Sequence, residues 1–251
     1  MSKIKFHIII PARYASTRFP GKPLVDIAGK PMIVHVCEKA RLVRGIESIS
    51  VATDDDRIAS VLHDYGANVI MTSSDHVSGT DRLAEALKII GIPESDQEVI
   101  VNLQGDEPFI KPYQIESLCK AFSDKSTDIV SLCKEITDHD DLANPNLVKV
   151  VRRLDGHALY FSRSVIPFKR NSGAGAKYFK HIGIYAYRSN ILSQISKLNP
   201  SDLEITEQLE QLRWLDHGYA IRMIETDYQS PAVDSPEDLK KILEQFGKLE
   251  N

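Results

Sequence analysis

Between Pro11 and Leu24 the chain reads Pro11-Ala12-Arg13-Tyr14-Ala15-Ser16-Thr17-Arg18-Phe19-Pro20-Gly21-Lys22-Pro23-Leu24, and no acidic residue occurs before Asp26. Arg13 and Arg18 bring guanidinium groups that grip phosphate oxygens in pairs. Lys22 adds a mobile point charge, and Gly21 lets backbone come close to a ligand. The combination suits a polyphosphate; a solvated basic loop is the plainer alternative. It is not a Walker A loop, because Ser16 stands five before Gly21 and Pro23 replaces the Ser/Thr that would meet magnesium. Two carboxylates complement the cations. Asp106 lies in Asn102-Leu103-Gln104-Gly105-Asp106-Glu107-Pro108, and Asp234 in Val233-Asp234-Ser235-Pro236. Magnesium in phosphoryl chemistry is held by one or two carboxylates plus phosphates and waters, so these two could supply its protein ligands. Asp106 can equally be a turn former beside Gly105, and Asp234 a neighbour of a helix cap.

The elements that must position these groups follow from periodicity. Short β-branched runs at Phe6–Ile10, Ser48–Thr53, Val69–Thr72 and Val99–Leu103 read as buried strands. Amphipathic stretches separate them: a helix opening at Pro31, a stripe of Ile58, Val61, Leu62 and Tyr65, and a helix starting near Asp81. Helix Gln114–Phe122 and strand Asp128–Cys133 extend the pattern. Then Leu147–Leu154 and His157–Ser162 flank Asp155-Gly156, the signal of a two-residue hairpin. Strand His181–Tyr187, helix Glu204–Asp216, strand Ala220–Glu225 and a helix from Pro236 complete the reading. The expected fold is α/β, an open doubly wound, mostly parallel sheet with an antiparallel excursion in the second half. In such sheets ligands bind beyond the carboxyl ends of strands, the edge where the basic loop and Asp106 fall.

Composition narrows the partners. The 251 residues are 42% hydrophobic, enough for a sizeable core, and residues 1–251 are expected to form one domain. With 31 basic and 35 acidic residues the formal charge is −4, which gives no global field for nucleic acid or an anionic membrane. Anion binding must be local. Three cysteines, Cys37, Cys119 and Cys133, have no paired spacing and suit a reducing compartment. The apolar run Ile8–Ile10 meets Pro11 and Arg13 at once, so neither a signal peptide nor a membrane span is expected and the location reads as cytoplasmic.

The basic loop, Ala52-Thr53-Asp54, Ser78-Gly79-Thr80, Gln104-Gly105-Asp106-Glu107-Pro108, Tyr160-Phe161-Ser162-Arg163, His181-Ile182-Gly183-Ile184-Tyr185, Leu209-Glu210-Gln211-Leu212-Arg213 and Val233-Asp234 together resemble the Kdo (3-deoxy-manno-octulosonate) cytidylyltransferases, in order and over nearly the whole chain. That resemblance implies a nucleotide-diphospho-sugar transferase-like fold and transfer of CMP from CTP to the anomeric hydroxyl of Kdo for lipopolysaccharide synthesis. It implies Arg13, Arg18 and Lys22 on the CTP phosphates, with Ser78, Gly79, Thr80 and Gln104 seating the cytidine. It makes Asp106 and Asp234 the Mg²⁺ ligands, and with Arg13 and Lys22 the catalytic set. It implies Arg163, His181, Tyr185, Glu210 and Gln211 in the sugar pocket, a nucleotide half at 1–136, a sugar-binding and oligomerisation half at 137–251, and a homodimer. Two features depart from the family pattern: no glycine precedes Asp234 in Gln229–Val233, and Ile205-Thr206 stands where a histidine is common. They bear on the sugar, which leaves an amino-substituted Kdo or another acidic sugar as an alternative. A glycosyltransferase on a similar sheet would not need so many cations, and a non-catalytic nucleotide-binding regulator would not need Lys22, Asp106 and Asp234.

Overall fold

The computed structural model describes the chain apart from residues 1–2, 16–18, 77, 172–174, 176, 232, 234 and 250–251, and apart from the side chains of 245–249. By packing, the chain gathers into two compact units that interleave in sequence: residues 1–116, 188–196 and 230–251 in the first, and 117–187 and 197–229 in the second.

In the first unit, β1 (Lys5–Ala12) leads through a small ribbon, β2 (Asp26–Ile27) and β3 (Lys30–Pro31), to α1 (Met32–Arg41). Then β4 (Ile46–Thr53), α2 (Asp56–Asp64), β5 (Asn68–Met71), α3 (Gly79–Ile90) and β6 (Glu98–Asn102) alternate. The strands lie in the order β6-β1-β4-β5, every pair parallel. Parallel strands are covered on both faces, which is why they read as unbroken apolar runs. Ile8, Ile10, Val99, Ile100 and Val101 are indeed wholly buried. Helix starts carry their own signals: the Asp55 side chain caps α2 by accepting from the Arg57 N–H, and Ser78 with Asp81 forms a reciprocal capping box on α3.

The unit boundary falls inside α4 (Pro112–Ala121). The second unit holds β7 (Ile129–Ile136), α5 (His139–Ala143), β8 (Lys149–Arg152), β9 (Ala158–Ser162) and β10 (Tyr178–Arg188), which ends as α6 (Ser189–Ile195) begins in the first unit. It continues with α7 (Asp202–Glu207), α8 (Glu210–Asp216) and β11 (Ile221–Glu225), and α9 (Pro236–Leu249) returns to the first unit. Here β7 pairs parallel with β11 but antiparallel with β10, and β8 pairs antiparallel with β10 and β9. The α/β class, the mostly parallel pairing and the antiparallel excursion agree with the sequence.

Two details differ. The hairpin between β8 and β9 turns through three residues, Leu154 to Gly156: the Arg153 N–H donates to the His157 carbonyl at 2.8 Å, with Gly156 left-handed at φ 88. A three-residue turn whose last residue is left-handed is the next commonest hairpin connection, and Gly156 takes that conformation without cost. The helix expected over Glu204–Asp216 is also broken. Gln208 adopts φ 54, ψ 50 and Leu209 is extended, so α7 stops and α8 restarts. No glycine or proline announces the break. Its consequence is two backbone carbonyls, at Glu207 and Gln208, released from helical bonding and engaged by Arg163 instead.

Candidate active site

The basic loop and the Asp106 loop leave the same sheet edge. Strands β1 and β6 are parallel neighbours with Ile9 opposite Asn102, and the Leu103 N–H extends the pairing to the Ile9 carbonyl at 3.3 Å. The loops then touch: a Cβ at Gly105 would lie 2.9 Å from the Pro11 carbonyl oxygen, so this position is restricted to glycine by close approach. The Gly21 N–H donates to the Tyr14 carbonyl at 3.0 Å and closes the basic loop on itself, after which Lys22–Leu24 forms one 3₁₀ turn. That turn delivers the Lys22 ammonium to Asp106, Nζ to Oδ2 2.7 Å, with side-chain exposures of 13% and 34%. The pair is open enough for phosphate or metal to reach it.

Arg13 is exposed at the start of the loop and shares a cleft of about 130 Å³ with His76, Ser78, Gly79, Arg82 and Gln104. Gln104 donates through Nε2 to the Asn102 side chain at 3.2 Å. Thr80, expected at the cytidine, is buried in the first turn of α3. Sequence reasoning missed two groups here. Arg82 is buried and donates to Thr72 Oγ1 at 2.6 Å and to the Asp54 carboxylate at 3.0 Å. His76 Nε2 lies 2.5 Å from the Glu85 carboxylate. Burial alone would raise the pKa of Glu85, but the bonds from His76 and from the Ser73 N–H, with the charges of His76 and Arg82, leave it lowered. Arg82 sits two residues after Thr80 in the quoted motif, and only its burial separates it from a surface arginine.

Arg18 and Asp234 lie outside the described residues. The flanks of Asp234 are anchored in the first unit: Val233 is wholly buried with Ile27, Met32, Phe109 and Ile242, and the Ser230 hydroxyl donates to the Glu107 carboxylate beside Asp106. Among the described residues no group of three or more His, Cys, Asp or Glu side chains could hold a metal by itself. Asp106, a single partly exposed carboxylate, is the kind of donor a magnesium ion takes alongside substrate phosphates and water.

The expected sugar-binding residues all belong to the second unit. His181 and Tyr185 on β10 face each other with ring centroids 5.3 Å apart, and Phe161 packs edge-on against His181 at 5.1 Å. The pairing of β10 with β7 shifts register between Ile182 and Tyr185. At that irregularity Ser131 Oγ reaches the Ile184 carbonyl at 2.9 Å, the Ile182 carbonyl at 3.2 Å and His181 Nε2 at 2.9 Å. With the single hydroxyl hydrogen assigned to the nearer carbonyl, that of Ile184, which can only accept, Ser131 accepts from His181 Nε2–H. This tautomer leaves Nδ1 as an acceptor. Burial pushes the His181 pKa down to about 3. Burial first, then the charges of Tyr187 and Glu210, raise Tyr185 well above the usual tyrosine range.

The Trp214 indole N–H is buried without a hydrogen-bond partner, and its ring meets that of Tyr185 edge to face at 5.1 Å. Gln211 is buried and Glu210 half-buried at the start of α8. Arg163 is the most heavily bonded of the set: Nε donates to the Glu207 carbonyl at 2.9 Å, one terminal nitrogen to Pro145 at 3.1 Å and the other to Gln208 at 3.4 Å. Lys149 and Glu207, which the sequence did not single out, surround it. Cys37 and Cys133 offer no nucleophile: burial pushes Cys37 up to about 12 and Cys133 up to about 11.

The cytidylyltransferase family profile matches residues 7–224. The chain is 49% identical to the 3-deoxy-manno-octulosonate cytidylyltransferase of Parabacteroides distasonis, over 96% of this chain and 97% of the relative. It is 46% identical to the 8-amino-3,8-dideoxy-manno-octulosonate cytidylyltransferase of Shewanella frigidimarina, over 95% and 97% of the two chains. A solved CMP:2-keto-3-deoxy-manno-octonic acid synthetase complexed with CTP superposes with a TM-score of 0.91 at 45% identity, covering 97% of this chain and 99% of that one.

Proposed function

The chain belongs to the cytidylyltransferase family, and from that premise we propose that it transfers CMP from CTP to the anomeric hydroxyl of Kdo, releasing CMP-Kdo and pyrophosphate; its relatives are named as a Kdo cytidylyltransferase and as a synthetase of the CMP-linked sugar solved with CTP. The observation that carries the reading is the Lys22–Asp106 contact where the loops beyond β1 and β6 meet. It puts a mobile cation and a metal-type carboxylate side by side at the ligand-binding edge of a parallel sheet.

In this mechanism the sugar hydroxyl attacks the α-phosphorus in line and pyrophosphate departs, with no covalent intermediate on the protein. Little covalent work falls to the protein, so the rate comes from alignment and charge neutralisation. Arg13 and Lys22, with Arg18, hold the phosphates; the Ser78–Gly79 turn and Gln104 seat the cytidine in the cleft with Arg13. Asp106, with Asp234, would hold Mg²⁺, which supplies positive charge against the triphosphate and the departing pyrophosphate. Arg163 takes the sugar carboxylate. His181 Nδ1 as acceptor, the Tyr185 hydroxyl, Glu210 and Gln211 take sugar hydroxyls.

The product feeds lipopolysaccharide synthesis in the cytoplasm. Leu154, Leu159, Val165 and Phe168, large apolar side chains exposed on the second unit, support a homodimer formed through that unit. No helix among the described residues is long and apolar enough to cross a membrane. The Shewanella relative supports a second reading, an 8-amino sugar in place of Kdo. Pyrophosphate release, measured with CTP, UTP or ATP and with Kdo or its 8-amino counterpart, decides both points. Turnover is expected with CTP and Kdo; release that needs no acidic sugar, or none with any pair, overturns the proposal.

A further inference from the structure

Arg163 is fixed from three directions. Lys149 is wholly buried, and its ammonium donates to three carbonyl oxygens: Asn144 at 2.8 Å, Leu147 at 2.9 Å and Arg163 at 2.7 Å. An ammonium has three N–H groups, so all are spent. Placing a lysine there is unfavourable, and burial, then the charge of Arg163, lowers its pKa while Glu207 opposes them. An apolar side chain would fill the space on β8 without that cost, but it could not tie the 144–147 loop to Arg163, the residue just past the end of the neighbouring strand. Glu207 supplies the second tie. Its carboxylate accepts from the Ser162 hydroxyl at 2.5 Å and from the Arg163 N–H at 2.9 Å. The N–H and C=O of Arg163 are thus both held by charged side chains, and charge-assisted bonds are the stronger kind.

The third direction is the guanidinium itself. Three of its five N–H groups are spent, Nε on Glu207, one terminal nitrogen on Pro145 and the other on Gln208, all to backbone carbonyls. One N–H remains on each terminal nitrogen, the number a bidentate carboxylate grip needs. The carbonyls of Glu207 and Gln208 are free to accept because the chain breaks between α7 and α8, where Gln208 is left-handed.

We infer that Lys149 and Glu207 are positioning residues, which hold Arg163 so that its guanidinium meets the sugar carboxylate with no rearrangement on binding; this rests on the reading of Arg163 as the carboxylate cation. Neither residue touches the nucleotide or the sugar. They act through Arg163, and their loss should weaken sugar binding and leave nucleotide binding alone.

The test is a double-mutant cycle in steady-state kinetics, using Lys149→Met, Glu207→Gln, Arg163→Ala and the two doubles with Arg163→Ala. Each single variant should raise the KM for Kdo, by about tenfold or more for Lys149→Met and about fivefold for Glu207→Gln, with the KM for CTP within about twofold of the parent. In the Arg163→Ala background both should add nothing further to the KM for Kdo. Losses that add fully in the doubles, or that fall on CTP as strongly as on Kdo, overturn the proposal. Should Arg163→Ala itself leave the KM for Kdo unchanged, the carboxylate reading fails instead, a distinguishable result. If Lys149→Met does not fold, Glu207→Gln, which keeps side-chain volume and one acceptor oxygen, decides by the same criteria.

Discussion

His181 is held neutral by its surroundings, and that gives a pH dependence whose size can be worked out. Its folded pKa, about 3, lies below the ordinary histidine value of 6.5, so the unfolded chain takes up a proton at this residue at pH values where the folded chain does not. Stability therefore rises with pH between those two values. Above pH 6.5 the residue contributes nothing to the dependence. As pH falls from 6.5 towards 3 it destabilises progressively, and below 3 the penalty is constant. At pH 5 the unfolded state gains roughly RT ln(1 + 10^1.5), about 2 kcal/mol. A folded value one unit higher changes this by less than about 0.1 kcal/mol, because at pH 5 the folded ring would still be neutral.

The perturbation is His181→Gln, whose side-chain amide can still donate to Ser131. Urea unfolding at pH 7, 6 and 5 should show the parent losing about 2 kcal/mol more between pH 7 and 5 than the variant, since every other titrating group is common to both. Equal pH slopes in the two proteins would refute the reasoning. They would mean that water reaches His181 and that burial does not hold the ring neutral.

Asp106→Asn should leave the unfolding curve almost unmoved, since the Lys22–Asp106 pair is partly exposed, yet lower pyrophosphate release by about 10²-fold or more; full activity at ordinary magnesium removes Asp106 from the metal. Lys22→Ala should lower kcat as well as kcat/KM, by about 10²- to 10³-fold, because its charge is needed most when pyrophosphate departs. A rise in KM for CTP with unchanged kcat would make Lys22 a ground-state contact only. Gly105→Ala, whose Cβ would press on the Pro11 carbonyl at 2.9 Å, should cost about 1–3 kcal/mol in urea unfolding and loosen CTP binding; an unchanged midpoint would show that the two loops part easily.

What the sequence disclosed and what it withheld divide along physical lines. The strands of the first unit were legible because a parallel strand covered on both faces leaves a run such as Ile8–Ile10 or Val99–Val101, and nothing polar interrupts it. Helix starts were legible wherever a side chain must cap them, as at Ser78. The basic loop was legible because three cations crowded together against a negative average are improbable unless something anionic is to be met. The interleaving of the units was not. Residues 188–196 and 230–251 pack with the first unit through long-range contacts, and no local propensity encodes those.

The break at Gln208 shows why the surroundings of the candidate sugar site were harder to read than its nucleotide counterpart. The stretch Glu207–Arg213 around the break is made of good helix formers, and glutamine in a left-handed conformation is locally unfavourable. What offsets that strain is tertiary: the freed carbonyls take Arg163, and the end of α7 brings the Glu207 carboxylate to Ser162 and to the Arg163 N–H. Glu207 is thus tied to Arg163, 44 residues away, by two hydrogen bonds that no periodicity reveals. Lys149 is concealed in the same way, since in Leu147–Val151 it looks like the outward residue of an edge strand while its ammonium is turned onto backbone carbonyls in the interior. Residues proposed to touch a substrate could be named from their chemistry, because the substrate demands their type. Residues that hold them could not, because their type is demanded only by a geometry that exists after folding.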